Sequence, residues 1–207
     1  MLAVVIPTRG DRPQFLEFAK KQIAAQTKQP DLVIVVDYSA KSNEVDISER
    51  YKYGIRKAVN SGADCILFWE DDDYYQPNYI EYMYAEWLQH DKPDLLGIDY
   101  TYYYHLGVKG LKFTSHKGRA SMFTSMVSKN VIEYPMPANN YVFADLFIWS
   151  KWHGVTVSPT NIMAIGIKHG IGKTGGKGHT VLNMYVPNID FLETHCTKEA
   201  YDFYQSI

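Results

Sequence analysis

The chain has little cysteine and no long apolar segment, and each of these absences excludes a class of protein. It contains only Cys65 and Cys196 in 207 residues, too few for a disulfide framework, which favours a reducing, cytoplasmic setting. No stretch approaches the ~18 apolar residues of a membrane span, and residues 1–7 have strand character without the basic start of a signal peptide. We therefore expect no integral membrane association. An apolar share of 46% and a charged share of 21% exclude a disordered chain and a coiled coil.

Acidic residues are unevenly distributed, although the net charge is only −2. Residues 1–99 carry 17 acids against 11 bases, whereas residues 100–207 carry 6 acids against 10 bases. Within the second half, Asp145 is the only acid between Glu133 and Asp190. This asymmetry indicates an anionic ligand held against the second half, unless the two halves simply neutralise each other on folding.

Strand and helix patterns alternate through the first hundred residues. Apolar runs with the character of buried strands lie at Leu2–Pro7, Asp31–Asp37 and Cys65–Trp69. A segment with helical spacing of apolar residues follows each run, and the second of these helices is expected over Ile47–Gly62. The alternation predicts the α/β class, with an open, mostly parallel, Rossmann-like sheet that has helices on both faces.

The second half of the chain is less regular. Residues 94–104 have strand character and contain four tyrosines, Tyr141–Trp152 predicts a helix, and Val155–Ile167 predicts extended segments. No internal repeat or low-complexity linker is visible. We therefore expect a single domain over residues 1–207.

Polar residues follow all three predicted strands of the first half. The strand ends are Pro7–Arg9, Asp37–Ser39 and Glu70–Asp73. Ligands of open α/β sheets bind outside the carboxyl ends of the strands, so one polar crevice is expected there. Four consecutive acids after a buried strand repel one another unless a cation lies among them, and Mg²⁺ or Mn²⁺ prefers such oxygen ligands. The alternative is a solvated acidic turn that caps the next helix.

The order of these motifs resembles the GT-A glycosyltransferases of the family-2 type. The resemblance rests on Val4–Arg9, Ile34–Asp37 and Asp71–Asp73, and on Arg56–Phe68, which is similar to the stretch before their aspartate-any-aspartate motif. It extends over residues 3–90 and implies a GT-A fold. It also implies transfer of a hexosyl or pentosyl group from a nucleoside-diphosphate sugar, with a UDP-sugar favoured and Mn²⁺ or Mg²⁺ on the diphosphate.

The resemblance also assigns roles to individual residues. It implies that the donor and its nucleotide are bound by Pro7, Thr8, Arg9, Asp37, Arg56, Asp71 and Asp72. Asp73 would be a metal ligand. The family usually has two aspartates at the end of the second strand, whereas this chain has only Asp37, followed by Tyr38.

Asp145 is the candidate catalytic residue. Inverting members of the family carry a late carboxylate, usually in a Glu-Asp pair before a helix, and Ala144 stands here in place of the glutamate. Apolar neighbours would raise the pKa of the Asp145 carboxyl by desolvation, which suits a general base. The resemblance implies that Asp145 takes the proton of an acceptor hydroxyl while the sugar transfers with inversion. The alternative is an aspartate that only caps a helix.

A glycine-rich basic segment follows residue 166. It is not a phosphate-binding P-loop, because the glycine required before Gly172–Thr174 falls on Ile167. GT-A enzymes often close such a loop over the diphosphate and complete the metal site with a histidine. The resemblance therefore implies His169 as a metal ligand, with His179 as the alternative, or a histidine that is merely solvated. The lysines that would neutralise the leaving group are Lys168, Lys173 and Lys177, with Lys173 assigned to the donor site.

The acceptor side is less defined. Residues 1–99 are expected to bind the nucleotide sugar and metal, and residues 100–207 the acceptor, which could be a glycan, a small molecule or a modified nucleic acid. Two other functions remain open. A nucleotidyltransferase would need a glycine-rich loop after the first strand, and Pro7–Arg12 has only one glycine. A nucleotide-sugar binding protein without turnover would explain the missing glutamate before Asp145.

Overall fold

The computed structural model describes residues 1–38, 46–133, 143–170 and 181–207. The helices are α1 (Pro13–Ala24), α2 (Ile47–Asn60), α3 (Tyr79–Gln89), α4 (Ala144–Lys151), α5 (Phe191–His195) and α6 (Lys198–Gln205). The strands are β1 (Leu2–Pro7), β2 (Leu32–Val36), β3 (Cys65–Phe68), β4 (Tyr74–Tyr75), β5 (Leu95–Ile98), β6 (Tyr100–His105), β7 (Gly110–Ser115), β8 (Ser125–Ser128), β9 (Val155–Val157), β10 (Ala164–Lys168) and β11 (Val186–Pro187). None of the described helices is long and apolar enough to cross a membrane.

The larger sheet has six strands in the order β2-β1-β3-β8-β5-β9. Strand β1 pairs in parallel with both β2 and β3, and β5 pairs in parallel with β9. Only β8 runs in the opposite direction, between β3 and β5. The predicted α/β class, with an open and mostly parallel sheet in a single domain, is therefore confirmed.

Helices cover both faces of this sheet, and successive residues of β1 point to opposite faces. Leu2, Val4 and Ile6 pack with residues of α1 and α3, whereas Ala3 and Val5 pack with residues of α2 and α4. All six residues of β1 are buried. This arrangement explains why the strand is a continuous apolar run and not an alternating one.

Helix α2 approaches β1 closely at Gly54. A Cβ atom at this position would lie 2.3 Å from Cγ1 of Val5, well inside the distance of a normal contact. The absence of a side chain therefore allows the helix to lie directly on β1. The amino-terminal end of α2 is thereby held next to the carboxyl ends of β1 and β2.

A second sheet of five strands has the order β11-β7-β6-β10-β4, and the sequence did not predict it as a separate sheet. The predicted strand over residues 94–104 is in fact two strands, β5 and β6, which belong to different sheets. The predicted extended region Val155–Ile167 is likewise divided between β9 and β10. The chain changes sheets at Asp99, whose N–H donates to Val157 and whose carbonyl accepts from His116.

Helices α5 and α6 pack against the second sheet. The hydrophobic core between these helices and the sheet contains aromatic and aliphatic residues, including Tyr74, Tyr104, Ile165, Phe191 and Tyr204. Strand β10 contributes to this core and pairs with β4, which directly follows the four acids. The core therefore lies next to the acidic segment. The second sheet thus forms one side of the predicted crevice.

Candidate active site

The carboxyl ends of β1 and β3 meet at the acidic segment that follows β3. The Thr8 hydroxyl donates to Oδ2 of Asp71 at 2.6 Å, and Nη2 of Arg12 lies 2.8 Å from Oδ1 of the same carboxyl. Burial and the neighbouring Asp72 raise the pKa of Asp71 to about 7, against the opposing effects of Arg12 and Thr8. Residues 63 positions apart in the sequence therefore share one polar site.

Asp72 is the acid of this segment that the structure stabilises most as a carboxylate. Burial opposes its ionisation, but a hydrogen bond from His169 and the charges of Arg12 and Lys168 lower its pKa well below the usual range. Its Oδ2 lies 2.8 Å from Nη1 of Arg12 and 2.8 Å from Nε2 of His169. The His169 ring also packs on Phe15, with 4.6 Å between ring centroids.

Asp73 is completely buried. Its Oδ1 accepts a hydrogen bond of 2.7 Å from the backbone N–H of Ile167, whereas its Oδ2 has no hydrogen-bond partner in the described part of the chain. Burial raises the pKa of Asp73 well above its usual value, despite the nearby charge of Lys168. A buried oxygen without a partner is costly, so this atom is suited to a ligand.

Glu70, Asp72 and Asp73 form a candidate metal site. Each offers one carboxylate oxygen, and these oxygens lie within 4.8 Å of one another. The donors are all hard oxygens, which fits Mg²⁺ or Mn²⁺. Within the described residues, the group does not include His169, whose Nε2 contacts Asp72 and lies 3.1 Å from Nη1 of Arg12. Glu70 is thus a carboxylate of the candidate site to which the resemblance assigned no role, and His169, next to Asp72, stays a predicted metal ligand.

A cavity of about 130 Å³ adjoins this cluster, and it is lined by acids from two elements. On the β3 side these include Glu70, whose Oε1 accepts a hydrogen bond of 2.8 Å from the Tyr51 hydroxyl. The α4 side contributes Asp145, and Lys168 and Tyr103 also line the space. The predicted catalytic carboxylate and one acid of the acidic segment thus line the same cavity, although Asp145 and Glu70 are 75 positions apart in the sequence.

Asp145 lies in the first turn of α4 and is held by Arg119. Nη1 of Arg119 is 3.0 Å from Oδ2 of Asp145, and the two side chains are 31% and 17% exposed. Burial raises the pKa of Asp145, and the charge of Arg119 limits that rise. The carboxylate is therefore partly desolvated and accessible from the cavity, which are properties of a general base.

Lys168 supplies positive charge to the cavity. Burial opposes protonation of its amine, but Asp73, Asp72 and Glu70 raise its pKa above the usual value. Its Nζ also lies 5.3 Å from the ring centroid of Tyr103. A lysine held charged at the edge of an acid cluster can bind an anionic group without a metal ion.

The remaining predicted donor residues lie around the strand ends, with different degrees of exposure. Pro7 is buried at the end of β1, Arg9 contacts Asp11 at 3.5 Å, and Asp37 is exposed after β2. Arg56 is exposed in the second half of α2, away from the amino-terminal end of that helix. The predicted Lys173, Lys177 and His179 lie outside the described residues.

Two arginines that organise the site were not singled out from the sequence. Arg12 binds Asp71 and Asp72, and its only sequence signal is its position before Pro13 at a helix start. Arg50 is fully buried and donates to the carbonyls of Thr8, Val36 and Tyr38, which joins the ends of β1 and β2. In α2 it is therefore Arg50, and not Arg56, that reaches the strand ends.

The fold is similar to that of solved structures of TarS from S. aureus. One superimposes with a TM-score of 0.58 at 14% identity, covering 80% of this chain and 36% of TarS. A structure of TarS residues 1–349 with UDP-GlcNAc gives a TM-score of 0.55 at 15% identity, covering 81% and 58% of the two chains. The corresponding UDP complex gives 0.54 at 15% identity, covering 80% and 60%.

This chain therefore spans between about a third and three fifths of the TarS chains it matches. No protein-family model and no curated protein matches the sequence. The structural similarity, together with the sheet order, confirms the GT-A fold, with an open and mostly parallel sheet, that the sequence resemblance implied.

Proposed function

We propose that this protein is a glycosyltransferase that moves a sugar from a nucleoside-diphosphate sugar to an acceptor hydroxyl, with inversion. The observation that carries the proposal is the cavity between Glu70 and Asp145. Within a GT-A fold, it joins an acid cluster suited to a donor's metal ion to a separate carboxylate suited to proton transfer. An acidic turn with a purely structural role would not need a second carboxylate from another element in the same cavity.

The donor side uses the end of β3 and the neighbouring residues. Glu70, Asp72 and Asp73 would hold Mn²⁺ or Mg²⁺, which when bound would offset the charge of the donor diphosphate. Lys168 adds positive charge on the same side, where the diphosphate leaves. The TarS complex with UDP-GlcNAc supports a UDP-sugar as the first donor to test.

The acceptor side contains Asp145. Its carboxylate takes the proton of the acceptor hydroxyl as the acceptor oxygen forms a bond to the anomeric carbon. The bond from that carbon to the diphosphate breaks on the opposite face, so the configuration inverts and the nucleoside diphosphate leaves with the bonding electrons. The charge of Arg119 opposes the burial-driven rise in the pKa of Asp145, and so favours the ionised carboxylate that a base requires.

The proposed donor site is not confined to the first half of the chain. Lys168 belongs to the second half but lies on the donor side, because β10 pairs with β4 of the first half. We assign residues 1–99 to most of the donor site and residues 100–207 to the base and the acceptor. The acceptor is a hydroxylated molecule, with glycans and small molecules as the first candidates and a modified nucleic acid as a third.

The test is a product assay with purified protein, Mn²⁺ or Mg²⁺, and a panel of UDP-, GDP- and TDP-linked hexoses and pentoses. We expect release of the nucleoside diphosphate, loss of release with a chelator, and inverted product. Pyrophosphate release would instead indicate nucleotidyl transfer. Calorimetry with each donor, with and without Mn²⁺, covers the case in which the acceptor is missing. Failure to bind any donor under either condition would overturn the proposal.

A further inference from the structure

A second, larger cavity lies beside α5 and the start of α3. It has a volume of about 800 Å³, inside the ~300–1,000 Å³ range of ligand pockets. We call it the amide groove, and its polar lining includes the side chains of Gln76, Asn78, Thr160, Asn161, Asn188 and Thr194. Nothing in the mechanism above uses it.

The amide groove is separate from the catalytic cavity. Met163 lines the groove at one end of the β10 segment, and Lys168 lines the catalytic cavity at the other. Five residues of extended chain span about 16 Å. A ligand in the groove would therefore leave the acid cluster and Asp145 free.

The lining of the groove is polar but uncharged. Among the described residues that form it, none is Asp, Glu, Lys or Arg, although 21% of the whole sequence is charged. The side chains of Asn78, Asn161 and Asn188 make no hydrogen bond within the described chain, and each offers both a donor and an acceptor. Such a surface suits a neutral ligand with many hydroxyl groups and not a nucleic acid, whose phosphates need cations.

Aromatic rings form an apolar strip along the groove. Tyr102 and Phe191 line it, with 5.8 Å between their ring centroids. Phe113 lies next to Tyr102 at 5.1 Å and is 55% exposed. A ring face carries partial negative charge and packs well against the polarised C–H groups of a sugar ring. The groove thus combines amides, which can bind the hydroxyl groups of a saccharide, with rings that can pack on its C–H faces.

The walls of the groove are held in place before any ligand binds. The Gln76 amide donates to the carbonyl of His195 at 2.7 Å, and the Tyr100 hydroxyl donates to the carbonyl of Asn161 at 3.1 Å. The N–H of Asn188 donates to the carbonyl of Lys109 at 2.9 Å. Preorganised walls lower the entropic cost of binding.

We propose that the amide groove is a carbohydrate-binding site for a neutral oligosaccharide, distinct from the catalytic cavity. This inference goes beyond the proposed transfer reaction and does not depend on it. If the bound glycan also reaches the catalytic cavity, the groove raises the effective concentration of the acceptor there.

The test is titration of ¹⁵N-labelled full-length protein, without metal or nucleotide, with cellotetraose, maltotetraose and chitotetraose. We expect at least one of these chains to shift the side-chain amide signals of Asn78, Asn161 and Asn188. The double variant Asn161→Ala/Asn188→Ala should weaken that binding at least about fivefold, because two hydrogen bonds to the ligand are lost.

The matched control is Asn60→Ala/Asn183→Ala, which removes two exposed asparagines outside the groove. It should change the affinity by less than about twofold, as expected for surface positions. Two outcomes would overturn the proposal. One is the absence of shifts with all three oligosaccharides at millimolar concentration. The other is shifts confined to Tyr103, Ser121 and Asp145, which would assign the binding to the catalytic cavity.

Discussion

The two acidic sides of the catalytic cavity are built differently. On the β3 side, the carboxylates are held by several partners, which include Thr8, Arg12 and the backbone of Ile167. On the α4 side, the one ion pair of Asp145 within the described residues is with a partly exposed arginine, and backbone N–H groups of α4 also favour the ionised form. The first side holds its carboxylates through several side chains, whereas on the second side Arg119 is the charged partner that adjusts the ionisation of Asp145. A fixed donor site and an adjustable base suit a transfer reaction in which only the base must change its protonation state.

The largest effect is expected at the α4 side, from Asp145→Asn. The amide can still accept a hydrogen bond from Arg119 but cannot take a proton, so kcat should fall about 10³-fold, within the range of a lost general base. Donor affinity should stay nearly unchanged, because the acid cluster is intact. Turnover and calorimetric donor binding measure the two effects.

Asp202→Asn is the control for this variant, since Asp202 is exposed and its ion pair, within the described residues, is with Lys198 on α6. It should leave kcat unchanged. Full activity in Asp145→Asn would remove the base role and with it the functional difference between the two sides.

The β3 side should respond through stability, and Arg12→Met tests this. The variant leaves the largely buried carboxylates of Asp71 and Asp72 without their shared cation, which costs about 3 kcal/mol of unfolding free energy. Chemical denaturation followed by circular dichroism measures the loss.

Lys198→Met removes a cation from an exposed helical pair and should leave the denaturation midpoint almost unchanged. Equal midpoints for Arg12→Met and the wild type would show that the β3 side is not held by this arginine.

The third prediction concerns the candidate metal site. Asp73→Asn keeps an oxygen that can accept from Ile167 but removes a negative charge from the group with Glu70 and Asp72. Affinity for Mn²⁺ should fall about tenfold to a hundredfold, in the range found for lost metal-site interactions. Isothermal titration with Mn²⁺ in the absence of nucleotide measures this directly. The unchanged affinity of Asp145→Asn serves as the control, and equal affinities in all three proteins would exclude Asp73 from the metal site.

The parallel sheet could be predicted from the sequence because its strands are short apolar runs that end in polar residues. The smaller sheet could not, because β4 has only two residues and its pairing partner β10 lies about 90 positions later. Strand β6 is rich in tyrosine, and its burial depends on helices that follow much later in the chain. Pairing over such distances leaves no local pattern.

The candidate site likewise combines contacts that the sequence predicts with contacts that depend on long-range pairing. Thr8 and Asp71 could be expected to meet, because both follow neighbouring strands, and they do. Glu70 was not separated from the other acids, because the chain turns at residues 71–73 and strand alternation does not reveal which of the four carboxylates meet. The contact of His169 with Asp72 depends on how β10 is aligned with β4, which the sequence does not reveal.

The smallest effect is expected from Arg119→Met, which tests whether Arg119 adjusts the ionisation of Asp145 on the α4 side. Burial already raises the pKa of Asp145, and Arg119 opposes that rise. Removal of the arginine should therefore raise this pKa further, although water limits the change because the arginine is partly exposed. A base works only when ionised, so activity falls as the pH drops through its pKa. The acidic limb of the profile of kcat against pH should move to higher pH in the variant.

The position of that limb distinguishes an electrostatic role of Arg119 from a structural one. At a pH well above the limb, Asp145 is ionised in both proteins and kcat should be nearly equal. Arg119→Lys keeps the charge and should restore most of the original profile. A uniform loss of kcat at every pH, without a shift of the limb, would mean that Arg119 only supports the fold around α4. The two sides of the cavity would then be equally fixed, and the base would not be tuned by its partner.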